Sequence, residues 1–583
     1  MNRRHARFVP NPLLTSRTPV WRSKFIVAGL ALAFLGLAAR AVYVQVLDND
    51  FFQKQGVVRF ERTLTLPASR GRIYDRNGLL LASSVAAPSI WAIPEDVADG
   101  ATPGQLAQLA KLLDMPLAQF KQRLASHEEK SFVWLKRQVD EPVAERIETL
   151  KIPGVYQRKE YKREYPEGEA MAQMVGFTGV DDRGQEGAEL AFDRQLSGKD
   201  GSRHVIKDRF GRVVDVVGDE VPPVNGPDLY LSVDSKIQFF AYQKVRDAVI
   251  AHKAKSGSVV VIDTRTGEVL AMANYPSYDP NNRRYLNGAQ LRNIALTDTF
   301  EPGSTMKPIT IGTALELGRV TPQTKIDTRP GSYQLAGFTI RDTHDYGVLT
   351  VQGVIQKSSN IGALKVSQRL KPQEMWNVYN LLGYGRRPEL DFPGAATGVV
   401  RPWQHWRPVE QATMAYGYGL SASLFQMVHS YTAFAHDGQV IPATILKNAT
   451  GAPVDGQRVF SAQTAAQVRQ MLHMVTGPGG TAPLAQTVGY TVGGKTGTAH
   501  KQVGKGYSSS KYRAWFTGIA PIDGTRIAVG VMIDEPGDGQ YYGGTVAAPV
   551  FSQVVQQTLR ALGVQPDMTI KPQIVTDAVE EPI

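Results

Sequence analysis

Cysteine is absent from this chain of 583 residues. Without a thiol, the protein can form no disulfide framework, no thiolate nucleophile and no cysteine-based zinc site. The absence is compatible with an oxidising compartment but does not prove one. The rest of the composition is ordinary for a folded protein, and the length predicts more than one domain.

Acidic residues are also absent at the start of the chain, where six basic residues precede the first long apolar run. These are Arg3, Arg4, Arg7, Arg17, Arg22 and Lys24. They account for six charges of the formal net charge of +11, so the remainder is only mildly basic. There is no zinc-finger spacing and no basic stripe with interleaved aromatic residues, so nucleic-acid binding is not expected.

One segment is apolar enough to cross a membrane. Residues 25–39 are all apolar or glycine, Arg40 interrupts the run, and residues 41–47 continue it. Together they reach about the 20 residues that span a bilayer. A cleaved signal peptide is the alternative, but the run is long and no clean small-residue cleavage site follows it.

The charges around this segment predict its orientation. Because basic residues precede the run, we expect a cytoplasmic tail at 1–24, an uncleaved transmembrane helix at 25–47 and an exported remainder. In a bacterium, such a chain would cross the inner membrane once and place the part after residue 47 in the periplasm.

The remainder is predicted to form two domains and a tail. A linker rich in proline, at 221–227, separates a mixed α/β region at 48–225 from a second domain at 226–563. Residues 564–583 are polar and contain proline, so we expect a flexible C-terminal tail.

The second domain has strands at both ends and helices between them. An amphipathic helix is predicted at 234–251, a strand hairpin at 258–273, and two further strands at 514–520 and 526–533. This order indicates an α+β fold in which an antiparallel sheet is packed with helices.

The first candidate for chemistry is Ser304-Thr305-Met306-Lys307, followed by Pro308. Because proline is tolerated only in the first turn of a helix, a helix should begin at or near Ser304. Lys307 then lies one turn away, which brings an amine beside a hydroxyl that needs a base to become a nucleophile. Taken alone the spacing is weak evidence, since Ser508 and Lys511 repeat it in a loop.

Two further short motifs follow in the chain. Ser358-Ser359-Asn360 offers a hydroxyl and an amide two residues apart, although a capping or turn pair is the commoner use of these residues. Lys495-Thr496-Gly497-Thr498 offers a second cation and two hydroxyl groups. Because the glycines here permit close approach of another backbone, we expect a strand edge that can bind an extended peptide. A glycine-rich hairpin is the alternative, and Lys255-Ser256-Gly257 shows how readily a similar triplet arises.

Together, in this order, the three motifs are the set found in penicillin-binding proteins and serine β-lactamases. The chain resembles the class B penicillin-binding proteins, and among them the division-specific septal transpeptidases, from the anchor to about residue 563. Further motifs carry the resemblance: RGRIYDRNG at 70–78, REYP at 163–166, GQEG at 184–187, YYGG at 541–544 and AAPVF at 547–551. The resemblance implies an elongated α/β pedestal at 48–225 and a transpeptidase domain at 226–563.

The resemblance also implies the catalytic roles. Ser304 attacks the penultimate D-alanine of a stem pentapeptide and expels the terminal D-alanine, with Lys307 as the base. Ser358 and Lys495 relay protons or tune Lys307, and which residue does which stays open. A neighbouring stem-peptide amine then takes the acyl group and forms the cross-link.

Substrate binding is implied at four more residues, with the oxyanion hole at the backbone N–H groups of Ser304 and Thr498. Asn360 binds the substrate backbone, Thr496 and Thr498 hold the terminal carboxylate of a stem peptide or a β-lactam, and Gly497 lies between them on the strand. No metal or cofactor is implied. Asp342, His344 and Asp345 are interpreted as part of a surface turn rather than as metal ligands.

Several alternatives and partners belong to this prediction. The same fold serves D,D-carboxypeptidases, elongation-type transpeptidases and β-lactamases, and a divisome scaffold or acyl-sensing receptor is the alternative that is not an enzyme. Expected partners are peptidoglycan stem peptides, β-lactams, a SEDS-type lipid II polymerase (FtsW) and other divisome membrane proteins.

Overall fold

The structure is a computed structural model, and it describes residues 19–47, 61–126, 132–207, 213–217, 219–504 and 506–568. Contacts between residues divide the chain into two compact units, one made of residues 1–67 with 200–223 and the other of residues 68–199 with 224–583. The domain bounds expected from the sequence stay a prediction. Most of the expected N-terminal tail and residues 569–583 lie outside the described residues.

The first unit contains a long apolar helix, α1 (Val20–Val42), which continues as a wider helical turn at Tyr43–Leu47. Its side chains are exposed along its length, and it is the one helix of the described residues long and apolar enough to cross a membrane. It fits a single-pass anchor and begins five residues before the expected span. The unit also holds an antiparallel sheet of Glu61–Leu66, Gly201–Lys207 and Val213–Val216.

The first segment of the second unit contains several helices and two small sheets, one of which also includes the strand Leu229–Tyr230 from the second segment. One sheet has the order Leu229–Tyr230, Ile73–Tyr74, Leu80–Ala86 and Tyr161–Glu164, and the other has the order Val133–Lys136, Ser89–Ala92 and Val155–Arg158. The helices are Pro94–Gly100, Pro103–Leu112, Leu117–Ala125, Glu141–Thr149, Gly168–Val175, Gly187–Ala191 and Asp193–Leu196.

Motifs far apart in this segment meet at one buried carboxylate. Arg70 Nε and Arg163 Nε each lie 2.6 Å from a different carboxylate oxygen of Glu189, and all three side chains are buried. Removing one partner of such a group leaves an uncompensated buried charge, which is strongly destabilising. The arginines of RGRIYDRNG and REYP therefore serve to hold this segment together.

A five-stranded antiparallel sheet forms the centre of the second unit. Its strands are β1 (Ser256–Asp263), β2 (Val269–Tyr275), β3 (Gly493–Val503), β4 (Gly506–Ala520) and β5 (Ile527–Asp534), in the order β2-β1-β5-β4-β3. Every residue of β1 and β5 is buried, as expected for strands covered on both faces. The predicted α+β fold is confirmed, and β3 lies at one edge of the sheet.

Helices pack on this sheet and on one another. They include α2 (Ser235–Ala251), α3 (Lys307–Glu316), α4 (Val351–Lys357), α5 (Asn360–Ser367), α6 (Leu424–Ala435), α7 (Ala462–Thr476) and α8 (Ala548–Ala561). Other helices are Gly288–Leu291, Ile294–Thr297, Pro372–Leu381, Pro408–Met414 and Gly543–Val546. Short strand pairs are Thr299–Phe300 with Ala422–Ser423, Lys325–Asp327 with Val348–Thr350, Ser332–Leu335 with Phe338–Arg341, and Gln439–Val440 with Gln457–Arg458.

Candidate active site

Ser304 lies where the chain enters helix α3. A tight helical turn at Gly303–Met306 leads into α3, and Pro308 occupies the first turn as its lack of an N–H requires. Helical structure thus begins within one residue of Ser304. The serine is almost completely buried near the N-terminal end of α3, where the helix dipole favours developing negative charge.

Three side chains form a closed set of hydrogen bonds around this hydroxyl. Lys307 Nζ lies 2.9 Å from Ser304 Oγ and 3.0 Å from Ser358 Oγ, and the two hydroxyl oxygens are 3.1 Å apart. Lys307 Nζ also donates to the Ser358 carbonyl oxygen at 2.5 Å. Lys307 and Ser358 are fully buried. Because burial disfavours a charged amine, this environment suits a lysine that exchanges a proton with the serine.

Ser358 adopts an unusual backbone conformation between α4 and α5. Its φ of 59° and ψ of 34° lie in the left-handed region, which costs a non-glycine residue about 1–3 kcal/mol. Ser359 caps α5 by accepting a hydrogen bond from Gly362 N at 2.8 Å. The alternative interpretation of the motif as a helix cap therefore applies to Ser359. Asn360 opens α5, and its Nδ2 donates to Arg341 O at 3.3 Å.

Lys495, Thr496, Gly497 and Thr498 lie in β3, and β3 packs against the turn that carries Ser304. Lys495 is fully buried, and its Nζ donates to Thr496 Oγ1 at 3.0 Å. Gly543 N donates to Thr498 Oγ1 at 3.0 Å, which leaves that hydroxyl hydrogen available to a ligand. The structure thus places this third motif beside the serine turn.

The repeated spacing at Ser508 and Lys511 has a different environment. Ser508 lies in the exposed part of β4, and Lys511 Nζ forms an ion pair with Glu535 at 3.0 Å. Burial alone would raise the pKa of Glu535, but hydrogen bonds from Lys501 and Lys511 lower it to about 2. Lys255, of the similar triplet, is exposed and faces the same carboxylate at 3.6 Å. In both repeats the lysine is therefore a surface side chain, although Ser256 and Gly257 are buried in β1.

A cavity of about 380 Å³ continues along β3 beyond Thr498. Its lining includes Phe300, Glu301, His500, Lys501 and Trp515. Glu301 accepts hydrogen bonds from Gly419 N and from the Tyr507 hydroxyl, each at 2.8 Å. The cavity gives an extended ligand room next to the serine turn.

Gly417 supports the serine turn, and this role was not predicted from the sequence. Gly303 N donates to Gly417 O at 3.1 Å, and a Cβ on Gly417 would lie 2.0 Å from Gly303 O. Gly417 also has a φ of +89°, which a side chain disfavours. The alternating sequence Tyr416-Gly417-Tyr418-Gly419 was the available signal, but it does not indicate which distant segment of the chain contacts these glycines.

Gly417→Ala is expected to slow acylation of the protein by penicillin by about tenfold or more, because the new methyl group displaces the backbone next to Ser304. Gly419→Ala is the matched control, since its φ of +81° carries the same backbone cost while the nearest atom to its Cβ is 3.8 Å away. Rates of labelling by a fluorescent penicillin compare the two variants. Equal rates would mean that the contact with Gly303 has no role.

The carboxylates of Asp342 and Asp345, in the turn after Arg341, accept hydrogen bonds from the protein. Asp342 hydrogen-bonds to α5, and the exposed Asp345 accepts from Gly347 N at 2.9 Å, as in a surface turn. Within the described residues, no group of three or more histidine, aspartate or glutamate side chains could hold a metal ion.

Family models match two parts of the chain. The penicillin binding protein transpeptidase domain matches residues 257–556, and the penicillin-binding protein dimerisation domain matches residues 65–231. The chain belongs to the penicillin-binding protein transpeptidase family. All eight residues predicted for catalysis and substrate binding lie within the transpeptidase match, while their individual roles stay predictions.

Curated relatives extend over almost the whole chain. The probable peptidoglycan D,D-transpeptidase PenA of Neisseria meningitidis is 43% identical over 547 residues, which are 94% of this chain and 93% of the relative. The peptidoglycan D,D-transpeptidase FtsI of Escherichia coli is 39% identical over 550 residues, which are also 94% and 93%. The predicted resemblance to the division-type penicillin-binding proteins is confirmed.

Solved structures support the same family. The transpeptidase domain of penicillin-binding protein 3 from Burkholderia pseudomallei is 53% identical, with a TM-score of 0.54 over 58% of this chain and 98% of that chain. A peptidoglycan synthetase from Bifidobacterium adolescentis is 24% identical, with a TM-score of 0.69 over 89% of this chain and 99% of that chain. The similarity to this synthetase supports the fold alone.

Proposed function

We propose that this protein is a peptidoglycan D,D-transpeptidase that cross-links stem peptides of the septal cell wall during bacterial division. The observation that carries the proposal is the buried contact set of Ser304, Lys307 and Ser358, with Lys307 Nζ 2.9 Å from the nucleophilic oxygen. The family match and the names of the relatives support the substrate class.

The reaction begins with attack of Ser304 Oγ on the carbonyl carbon of the penultimate D-alanine. Lys307 takes the hydroxyl proton as the new C–O bond forms. Developing negative charge on the carbonyl oxygen is held by the backbone N–H groups of Ser304 and Thr498. The C–N bond then breaks, and the terminal D-alanine leaves after its nitrogen receives a proton through Ser358 or Lys495.

The second half of the reaction transfers the acyl group. An amine of a neighbouring stem peptide attacks the ester carbonyl, loses a proton to the site and restores the Ser304 hydroxyl. In the first half, Asn360 holds the substrate backbone, and Thr496 and Thr498 hold the terminal carboxylate until it leaves with D-alanine. A β-lactam follows the first half only, because its leaving nitrogen stays tethered to the acyl group, so the penicillin remains attached to Ser304.

Mass spectrometry after treatment with a labelled penicillin tests the nucleophile. We expect one adduct, on the peptide that carries Ser304, and loss of the adduct in Ser304→Ala. Ser508→Ala is the control because that serine belongs to the repeated spacing on the surface, and it should keep full labelling. An adduct on another peptide, or none, overturns the assignment.

We also propose that the chain spans the inner membrane once, with its N-terminus in the cytoplasm and its transpeptidase domain in the periplasm. The exposed apolar helix α1 and the basic residues before it support this orientation. The absence of native cysteine makes the test clean, because one introduced cysteine is then the only thiol.

Tyr285→Cys provides a reporter at a side chain that is 91% exposed. In cells whose outer membrane has been permeabilised, a maleimide that cannot cross the inner membrane should label this cysteine before lysis. Ser16→Cys, in the expected cytoplasmic tail, should be labelled only after lysis. The reversed pattern would contradict the proposed orientation.

The expected partners are a SEDS-type lipid II polymerase (FtsW) and other divisome membrane proteins. The family resemblance and the presence of an anchor support this part of the proposal. Replacing residues 1–47 with an unrelated anchor should reduce copurification with such a polymerase while penicillin labelling stays unchanged. If copurification is unchanged, the anchor does not contribute to the proposed contact with the polymerase.

A further inference from the structure

Tyr431 lies outside the three motifs but hydrogen-bonds to the turn that carries Ser304. It belongs to α6, and its side chain is fully buried. Its hydroxyl donates to Thr305 O at 3.0 Å, across 126 residues of chain. Because Thr305 directly follows Ser304, this bond ties α6 to the residue next to the nucleophile.

Helix α6 is a firm support for this hydroxyl. The spacing of Leu424, Val428 and Tyr431 places them near one another on the helix surface. A Cβ on Gly530 of β5 would lie 2.3 Å from Val428 Cγ2 and 3.1 Å from Leu424 Cδ1, so the helix lies directly against the backbone of the central sheet. Tyr431 therefore connects the sheet to the serine turn through a short, well-packed path.

Aromatic neighbours hold the Tyr431 ring. It meets the Phe434 ring edge-on at a centroid distance of 5.6 Å, and Phe434 stacks on Phe460 at 5.5 Å. A Cβ on Gly312 of α3 would lie 3.5 Å from Phe460 and 3.6 Å from Phe434, so these two rings pack on the helix that follows Ser304. In a core packed to this density the ring has little room to move, and its hydroxyl has a defined position.

The serine turn is anchored on both sides of Ser304. On one side, Gly303 N donates to Gly417 O at 3.1 Å. On the other side, Thr305 O accepts the hydrogen bond from Tyr431. Ser304 thus lies between two peptide groups that distant segments hold in place, and the directions of its N–H group and of its Oγ depend on both.

We propose that Tyr431 is a positioning residue that keeps Ser304 in register with Lys307. It acts through the Thr305 carbonyl rather than by touching the substrate. The inference rests on the proposed function, because the register matters to the formation of the acyl-enzyme at Ser304.

The test compares Tyr431→Phe, which removes one oxygen and leaves the ring, with Tyr384→Phe. Tyr384 is the matched control because it is also fully buried, and its hydroxyl lies 2.9 Å from Ser430 Oγ of the same helix α6. Each protein is treated with a labelled penicillin over a range of concentrations. The maximal acylation rate, the half-saturating concentration, the final acylated fraction and the melting temperature are measured separately.

Tyr431→Phe should lower the maximal acylation rate by about tenfold or more, because small displacements of reacting groups are costly. The half-saturating concentration should stay within about twofold of the wild type, because Asn360, Thr496 and Thr498 lie outside the turn. Tyr384→Phe should keep the maximal rate within about twofold, since the bond that it removes is a separate one. Both variants should lose a comparable amount of thermal stability, because each loses one buried hydrogen bond.

Two further replacements at position 431 separate the hydrogen bond from packing. Para-aminophenylalanine, introduced by amber suppression, keeps an N–H donor at the same ring position and should restore most of the rate. Para-fluorophenylalanine fills nearly the same space without a donor and should remain slow. If Tyr431→Phe does not fold, this pair decides: a slower rate with fluorine supports positioning, and equal rates contradict it.

Several results would overturn the inference. One is an unchanged maximal rate in Tyr431→Phe. Another is an equal loss of rate in Tyr384→Phe, which would mean a general cost of a missing buried hydroxyl. A third is a lower acylated fraction with an unchanged rate for the molecules that react, which would mean a purely structural role. Failure of the proposed function is distinguishable, because the wild type itself would then carry no adduct at Ser304.

Discussion

Lys307→Met is expected to slow acylation by labelled penicillin by about 10²–10⁴-fold, the range that a positioned general base contributes. The amine that lies 2.9 Å from Ser304 Oγ is lost, and methionine offers no group that takes a proton. The fold should survive, since the site is fully buried and exchanging a buried amine for an apolar side chain of similar length is often tolerated. Time courses of labelling, followed on gels or by mass spectrometry, give the rate.

Lys511→Met is the matched control for this variant. Lys511 has the same spacing from Ser508 as Lys307 has from Ser304, but it is half exposed and pairs with Glu535 on the surface. It should keep the wild-type acylation rate. A wild-type rate in Lys307→Met would contradict the proposed base.

The same assay addresses a role that the sequence left open. Lys495→Met removes the second buried cation while Lys307 keeps its contacts with Ser304 and Ser358. If Lys307 is the base and Lys495 assists, Lys307→Met should be the slower variant. If Lys495→Met is the slower variant, Lys495 is the base and Lys307 assists.

The sequence was sufficient to predict the elements whose cause is local. Pro308 fixed the beginning of a helix, and the spacing of three residues then brought Lys307 to Ser304. The strands predicted at 258–273, 514–520 and 526–533 were recognisable from their composition, and they correspond to four of the five strands in the central sheet. These signals depend on neighbours in the chain, which a single sequence contains.

Contacts between distant segments could not be predicted in this way. Asp342 looked like part of a surface turn, and nothing near it in the chain indicates that its carboxylate holds Asn360. The approach of Gly417 to Gly303 is a contact between backbones more than a hundred residues apart. The left-handed conformation of Ser358 is equally invisible, because it is imposed by tertiary contacts against the preference of serine.

The expected flexible tail shows a similar limit. Composition suggested that order ends at about residue 563, but the next residues are held by the segment before β3. The Tyr490 hydroxyl donates to Val564 O at 2.8 Å, and Thr491 N donates to Asp567 Oδ1 at 2.8 Å. A polar, proline-bearing composition therefore does not exclude fixed contacts at the start of such a segment.

Gly497→Ala is expected to lower both the stability of the protein and its rate of acylation. A Cβ at this position would lie 2.2 Å from Trp515 Cε2 and 2.3 Å from Trp515 Nε1, well inside van der Waals contact. The indole is fully buried, and its ring meets Phe300 at a centroid distance of 5.0 Å, so it has little room to move. Overpacking of this kind costs about 1–3 kcal/mol of folding free energy.

The effect on acylation should be larger than the effect on stability suggests. Trp515 also lies under Gly303, whose own Cβ would be 3.1 Å from the ring, so a displaced indole or a displaced β3 disturbs the turn that carries Ser304. A shift of about 1 Å between reacting groups can cost about 100-fold in rate. We therefore expect the acylation rate of Gly497→Ala to fall by about that factor in molecules that remain folded.

Gly506→Ala supplies the control within the same strand hairpin. Gly506 lies at the start of β4, and no heavy atom lies within 4 Å of the position its Cβ would take. Thermal denaturation and penicillin labelling of the two variants separate a general cost of alanine in the hairpin from the collision with Trp515. If Gly497→Ala matched Gly506→Ala in both measurements, the close packing of β3 on Trp515 would not be what keeps Thr498 and Ser304 in register.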